Sequence, residues 1–270
     1  MNAPVLAKAT GRAAFGLDPA SYDRSRPDYP AWVFDTLRSQ CEVGAGTAVV
    51  EIGAGTGKAT RHLLALGANP LIAIEPDPRL ADFLKGDGAN SALRVVNSAF
   101  EDVELGHSRF DFATSATAFH WLDESAALAK ISTALRPGGW WAPFWNIYGD
   151  PTKADPFHEA TLSLLSSGPT NPSNDGQSRL EFGANVEARV AAIKATSAFD
   201  IIDYRQSTWS VVLNAEQTVG LYASYSNVSL RPDREDVLAK LGRIAREDFD
   251  NQVTRNVTTV LYLARRSASA

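Results

Sequence analysis

From residue 45 onward, short apolar runs alternate with stretches whose apolar residues recur at helical spacing. Residues 47–52 (TAVVEI) form a β-branched run of the kind that a strand buried on both faces requires. Residues 58–66 then carry a helical pattern that Gly67 stops. The same alternation predicts strands over 71–74, 93–97, 110–116 and 140–147. Between them it predicts a helix over 78–85 and another from an Asp123 N-cap to the break at Arg136, Pro137 and Gly138. Ahead of all these, residues 28–38 place Pro30 at a first helical position and Val33, Phe34 and Leu37 on one face. Strand, helix and strand repeated in this way predict a doubly wound α/β fold, Rossmann-like, with a mostly parallel sheet.

Beyond residue 148 the pattern loosens. A helix is expected over 150–167, then the turn-rich 168–178 (GPTNPSNDGQS), which suits an insertion or a mobile lid. A helical stretch over 179–197 follows. Two strands, 201–213 and 253–265, flank helices at 216–226 and 233–248. The reading is one domain over 1–270. It has an N-terminal flap and helix (1–44), a core (45–148), an inserted helical cap (149–200) and C-terminal strands and helices (201–266).

Composition narrows the partners. A net charge of -5 and the lack of a dense Lys/Arg run argue against nucleic acid. No run approaches the roughly 18 apolar residues of a membrane span, so no membrane partner is expected. Residues 1–15 lack the compact apolar stretch of a secretory signal and read as a disordered start. The one cysteine, Cys41, can form neither an internal disulfide nor a cysteine-based zinc site, and a cytoplasmic location is expected. His62, His107, His120 and His158 show no ligand spacing and no accompanying acidic cluster, so no metal is expected.

The sharpest signal is the run Val49-Val50-Glu51-Ile52-Gly53-Ala54-Gly55-Thr56-Gly57. Glycines let the backbone turn sharply and approach a ligand that a Cβ would repel, and the following helix offers unpaired N–H groups. A P-loop would need its first glycine at Ile52 and a hydroxyl residue at Ala59. The dinucleotide fingerprint G-x-G-x-x-G would need glycine at Lys58. The spacing G-x-G-x-G behind an acid at Glu51 is instead that of S-adenosylmethionine (SAM) sites. Glu75 ends the second strand, where a carboxylate can accept hydrogen bonds from ribose hydroxyls; NAD enzymes share that acid.

With these residues the chain resembles class I SAM-dependent methyltransferases, and within them a small-molecule branch that includes trans-aconitate methyltransferases and relatives of broad range. The likeness starts at Tyr22-Asp23-Arg24-Ser25-Arg26-Pro27-Asp28-Tyr29-Pro30 and takes in the glycine loop and Ile74-Glu75-Pro76-Asp77. It continues through Ser98-Ala99-Phe100-Glu101, the segment FDFATSATAFHWLD at 110–123, and Leu135-Arg136-Pro137-Gly138-Gly139. In the last third it thins to Tyr222-Ala223-Ser224-Tyr225-Ser226 and the closing strand. The resemblance implies seven strands, the last antiparallel, with SAM as cofactor and S-adenosylhomocysteine as product. It implies that Gly53, Ala54, Gly55 and Gly57 line the methionine part, that Glu75 binds the ribose and that Ala99 and Phe100 flank the adenine, with Glu51, Pro76 and Ser115 also among the cofactor-binding residues. Tyr22 and Arg26 would come from a flap over the cofactor.

Methyl transfer from a sulfonium needs alignment, desolvation and, for a protic acceptor, a base. His120 and Trp121 follow the fourth strand at the carboxyl edge where doubly wound sheets bind ligands, and are the candidate catalytic residues. Trp145, Tyr148, Trp209, Tyr222 and Tyr225 are candidates to wall an apolar pocket. The expected activity is methylation of a small-molecule acceptor, at a carboxylate or hydroxyl oxygen. C-methylation of a quinone or sterol, a non-catalytic SAM-binding subunit and a nucleotide-dependent oxidoreductase are the alternatives.

Overall fold

The computed structural model describes residues 15–86, 88, 90–150, 152–166 and 180–268. The expected lid at 168–178 and nearly all of the expected disordered start lie outside the described residues. The fold is the expected α/β Rossmann-like one, with a mixed sheet. Its strands are β1 (Val49–Ile52), β2 (Leu71–Ile74), β3 (Leu93–Val96), β4 (Phe110–Thr114), β5 (Leu135–Trp141), β6 (Phe144–Tyr148), β7 (Phe199–Leu213) and β8 (Val253–Arg266). They lie in the order β3-β2-β1-β4-β5-β8-β6, with β7 paired to β8. The first five pair in parallel; β8 runs antiparallel to β5, with Trp140 opposite Arg265 and Trp141 opposite Ala264.

Among the described residues the sheet has eight strands where seven were expected, and one proline accounts for the difference. The expected strand over 140–147 is broken after Trp141, because Pro143 has no N–H to give to a ladder. The chain still follows β4 through the break: Ala142 N–H donates to Ala113 O at 2.9 Å and Phe144 N–H to Ser115 O at 3.1 Å. A second correction lies just upstream. The helix Glu124–Ala134 does not run to Pro137, since Leu135 is already extended and pairs with Phe110. Pro137 disfavours helical backbone at Arg136, and the register between Phe110 and Phe112 shifts to absorb Arg136–Gly139.

Helices beyond β6 are shorter than expected, because local caps set their starts. Asp155 caps Pro156–Leu165 through His158 N–H at 3.0 Å, and Asn185 caps Val186–Ala195. Asn214 and Gln217 form a capping box on Ala215–Ala223, and the chain turns again into Ser226–Ser229 before Arg234–Glu247.

Two compact units divide the chain. The sheet unit holds Asp28–Trp145, Gly183–Gln206 and Thr259–Ala270; the helical unit holds Met1–Pro27, Asn146–Phe182 and Ser207–Thr258. In the sheet unit Val33, Leu37, Val49, Leu63, Phe112 and Phe144 belong to one apolar core. In the helical unit Phe157, Tyr222, Val237, Leu241 and Val253 belong to another. Among the described residues no helix is long and apolar enough to cross a membrane, and no three His, Cys, Asp or Glu side chains group as a metal ion would need.

Candidate cofactor and acceptor site

β1 is buried along its whole length and delivers the chain to the sheet's carboxyl edge. There Gly53 and Ala54 both donate their N–H groups to Ile74 O, at 2.9 and 3.1 Å, which ties the loop to the end of β2. The three loop glycines all have positive φ, but their surroundings differ. A Cβ on Gly53 would lie 2.5 Å from Ala118 Cβ, and one on Gly57 would lie 2.4 Å from Leu84 Cδ1. Both glycines are therefore required by the protein's own packing. A Cβ on Gly55 (φ +58°) would meet nothing within 4 Å. Gly55 presents bare backbone to open space, which is the property a ligand cradle needs.

Two buried acids flank this loop. Glu75 Oε2 accepts from Gly55 N–H at 2.8 Å and Oε1 from Asp77 N–H at 2.9 Å. Asn97, which sequence reasoning missed, donates its amide to Glu75 O (2.9 Å) and Pro76 O (3.1 Å) and so joins the end of β3 to the same corner. Glu51 is fully buried; its Oε2 accepts from Thr60 Oγ1 at 2.6 Å. Its Oε1 is buried with no hydrogen-bond partner among the described residues. Burial pushes the Glu51 carboxyl up to about 8, the Thr60 hydrogen bond opposes this, and the charge of Glu75 adds to it. An idle carboxylate oxygen, a second buried acid and an uncovered glycine backbone suit a small ligand carrying positive charge and hydroxyl groups, and SAM is such a ligand.

Ser115 is buried, and its hydroxyl donates to Ile52 O at 2.8 Å, bracing the ends of β4 and β1. Ala99 precedes a single 3₁₀ turn, Phe100–Asp102, in which Phe100 is buried. Lys130 holds that turn, donating to Phe100 O (2.7 Å) and Glu101 O (2.9 Å) with its ammonium 4.9 Å from the Phe100 ring. Nothing in the local sequence pattern singles out Lys130.

After β4 the chain passes through Thr117 at φ +54°, an uncommon backbone for a β-branched residue. Thr117 N–H donates to Phe144 O at 2.8 Å, and its hydroxyl bonds Tyr29 Oη at 2.9 Å. Strain of this kind persists where the surroundings enforce it. The next residue is Ala118, the one packed on Gly53, and then the 3₁₀ turn Phe119–Trp121. His120 and Trp121 are both buried, with ring centroids 5.2 Å apart. Trp145 Nε1 donates to His120 Nδ1 at 3.2 Å. An indole nitrogen only donates, so Nδ1 is the acceptor and the neutral ring carries its proton on Nε2.

The other two candidates belong to the helical unit. Tyr22 lies on the helix Pro19–Ser25, and Arg26 follows it. Arg26 donates from Nε to Ser224 Oγ (2.8 Å) and from Nη2 to Ser224 O (3.0 Å). Its guanidinium lies 5.3, 6.0 and 4.6 Å from the rings of Tyr22, Tyr148 and Tyr225. Tyr148, Tyr222 and Tyr225, among the candidates to wall an apolar pocket, have guanidinium groups against their rings, Arg26 at Tyr148 and Tyr225 and Arg255 at Tyr148 and Tyr222.

Residues 50–142 match a family described as the methyltransferase domain. An uncharacterised methyltransferase of Schizosaccharomyces pombe is 25% identical over 255 residues, covering 93% of this chain and 96% of its own. An uncharacterised methyltransferase of Mycobacterium tuberculosis is 32% identical over 133 residues, 49% of this chain and 52% of its own. Among solved structures, a candidate type II methyltransferase of Anaeromyxobacter dehalogenans superposes with a TM-score of 0.62 at 21% identity, covering 89% of this chain and 97% of that one. With a methyltransferase domain across its glycine loop and central strands, and a Rossmann-like fold similar to that of solved methyltransferases around it, the chain is a SAM-dependent methyltransferase, similar to those of class I.

Proposed function

We propose that the chain methylates an oxygen of a small organic acceptor, a carboxylate in preference to a hydroxyl. In this reading the loop from Gly53 to Gly57, Glu51, Glu75 with Pro76, Ala99 with Phe100, and Ser115 hold SAM. When bound, SAM supplies a methyl group already activated by its sulfonium. Glu75 Oε1 and Oε2 accept from the N–H groups of Asp77 and Gly55, which holds the carboxylate at the end of β2, the place the resemblance gives to an acceptor of ribose hydroxyls. The uncovered backbone at Gly55 and the idle oxygen of Glu51 support a cationic amino-acid moiety beside them. Tyr22 and Arg26 enter this set through resemblance alone.

The observation that carries the preference for a carboxylate is the Trp145–His120 hydrogen bond. With its proton on Nε2, the neutral His120 ring donates at that atom, and a donor suits an anionic acceptor oxygen. A hydroxyl acceptor would need a base there, and an ionised carboxylate needs none. The chain's work is then to align and desolvate the acceptor, and alignment alone is worth roughly 7–11 kcal/mol. His120 and Trp121 contribute N–H donors to that alignment.

The test is transfer of radiolabel from methyl-labelled SAM to a panel of small acids, their amides, phenols and quinones. The expected product is a methyl ester, whose label mild alkali releases as methanol. Alkali-stable label on carbon or nitrogen, or label on phenols alone, overturns the proposal.

A further inference from the structure

The turn that carries His120 and Trp121 stands on a strained residue. Thr117, at φ +54°, lies in the left-handed region that a β-branched side chain resists. Three contacts oppose its return to ordinary backbone. Thr117 N–H donates to Phe144 O at 2.8 Å, the Thr117 hydroxyl bonds Tyr29 Oη at 2.9 Å, and the Tyr29 ring meets the Phe144 ring edge-on at 4.8 Å. Tyr29, Thr117 and the fully buried Phe144 thus close a triangle, and Ala116 pairs with Phe144 just ahead of it. A glycine would take this backbone freely, whereas a threonine needs its surroundings to enforce it.

The consequence lies one residue on. Ala118 Cβ fills the space that a side chain on Gly53 would need, 2.5 Å from where that Cβ would be. Through this contact the chain leading into the turn Phe119–Trp121 rests directly on the glycine loop. The neighbour of Tyr29 reaches the loop's other side. Asp28 Oδ2 accepts from His62 Nε2 at 2.9 Å, and His62 lies on the helix Lys58–Leu66 that the loop opens. All these residues belong to the sheet unit. We propose that Tyr29 is a positioning residue for methyl transfer: its hydroxyl holds Thr117 in the left-handed backbone and so sets the His120–Trp121 turn against the cofactor loop. The inference rests on the reading of Gly53 to Gly57 as the SAM cradle and of His120 and Trp121 as facing the acceptor.

Three substitutions in the whole protein test it. Tyr29→Phe keeps the ring against Phe144 and loses only the hydroxyl. Thr117→Val keeps the branched shape and loses the other hydroxyl, and Thr117→Gly loses the whole side chain but takes positive φ without strain. The contact itself is read by NMR, as cross-relaxation between the Ala118 methyl and the Gly53 Hα protons, with no acceptor present. Tyr29→Phe and Thr117→Val should each lose most of that signal, and the two combined should do no further harm. Thr117→Gly should keep more of it than Thr117→Val, although it removes more of the side chain. S-adenosylhomocysteine should bind each variant as it binds the wild type, because the loop's own bonds to Ile74 and Glu75 are untouched. With the acceptor that the labelled-SAM panel identifies, turnover at saturating SAM should fall about tenfold in Tyr29→Phe and Thr117→Val and less in Thr117→Gly, with the KM for SAM in place.

A hydroxyl that only adds stability would lower the melting temperature of Tyr29→Phe and leave the contact and turnover intact, which overturns the proposal. So does a Thr117→Gly protein more impaired than Thr117→Val, since packing and not backbone conformation would then decide. Loss of the contact with full turnover overturns it too. If no panel compound is methylated, the oxygen reading fails by itself, and the Ala118–Gly53 contact still decides for or against Tyr29. If the variants behave as expected but the label sits on carbon or nitrogen, the role of Tyr29 stands and the preference for oxygen falls.

Discussion

The glycine loop and the arginine–tyrosine cluster are both polar constructions set in apolar surroundings, and they are assembled in opposite ways. The loop draws on contiguous backbone: Gly53, Ala54 and Gly55 spend their N–H groups on Ile74 and Glu75, all within two strand ends. The cluster draws on side chains far apart in the chain, joining Arg26 to Ser224 and Arg255 to Asp155 and Tyr222. A backbone site needs little side-chain ordering, so its failure should appear in binding. A side-chain site of buried charges depends on its partners, so its failure should appear first in stability.

The loop offers the largest effect. Gly55→Val should abolish SAM binding in calorimetric titration, because the new side chain occupies open space at a φ that valine resists. The chain should still fold, since nothing within 4 Å opposes the Cβ itself. Gly53→Ala is the control. Its Cβ would press on Ala118 at 2.5 Å, so thermal melting should show the damage as lost stability. If Gly55→Val binds SAM as the wild type does, the loop is not the cradle.

Arg255→Met comes next. It leaves Asp155, 11% exposed at its side chain, without its cation and should cost about 3–5 kcal/mol in urea denaturation. Adding Asp155→Leu should recover part of that loss, because the uncompensated charge goes with it. An Arg255→Met protein as stable as the wild type would show that the ion pair contributes nothing and would remove the contrast between the two sites.

Glu51 sharpens the comparison from the loop's side, since it is a fully buried acid beside the loop with one oxygen left without a hydrogen-bond partner among the described residues. Its carboxyl ionises near 4.5 when free and near 8 in the folded chain. Between these values the folded state holds a proton that the unfolded state has released. The stability linked to Glu51 is therefore complete below pH 4.5 and is lost as pH rises through 8, with a slope of at most about 1.4 kcal/mol per pH unit. Glu51→Gln should flatten that part of the stability profile of the unliganded protein. An unchanged profile would mean that Glu51 is ionised in the fold.

The same contrast explains what was legible in the sequence. β1, the glycine loop and Glu75 could be read because each is fixed by local pattern: a β-branched run, alternate glycines and an acid at a strand end. The break at Pro143 carried a local signal, a missing donor, that the apolar run around it concealed. Asn97 and Lys130 carried none, since an amide or an ammonium acquires a role only from the carbonyls that the fold brings to it. Tyr222 and Tyr225 could be seen as aromatic but not as partners of cations, because Arg26 and Arg255 come from opposite ends of the chain.

The smallest expected effect separates donor from base at His120. Trp145→Phe removes the indole N–H and keeps a ring against Tyr262, whose centroid lies 6.1 Å from that of Trp145. His120 Nδ1 then loses the donor that fixes its tautomer, and the proton is free to occupy either nitrogen. The stability cost is about 1 kcal/mol for the lost hydrogen bond. SAM affinity should not change, because the loop is untouched. If Nε2–H is the group that meets the acceptor, turnover of a carboxylate should fall a few-fold, in step with the lost share of that tautomer, and phenols should gain nothing. If the ring instead works as a base at Nε2, the same variant frees that atom of its proton, and methylation of phenols should rise. A rise on phenols with no loss on acids would reverse the role assigned to His120 and with it the preference for a carboxylate acceptor.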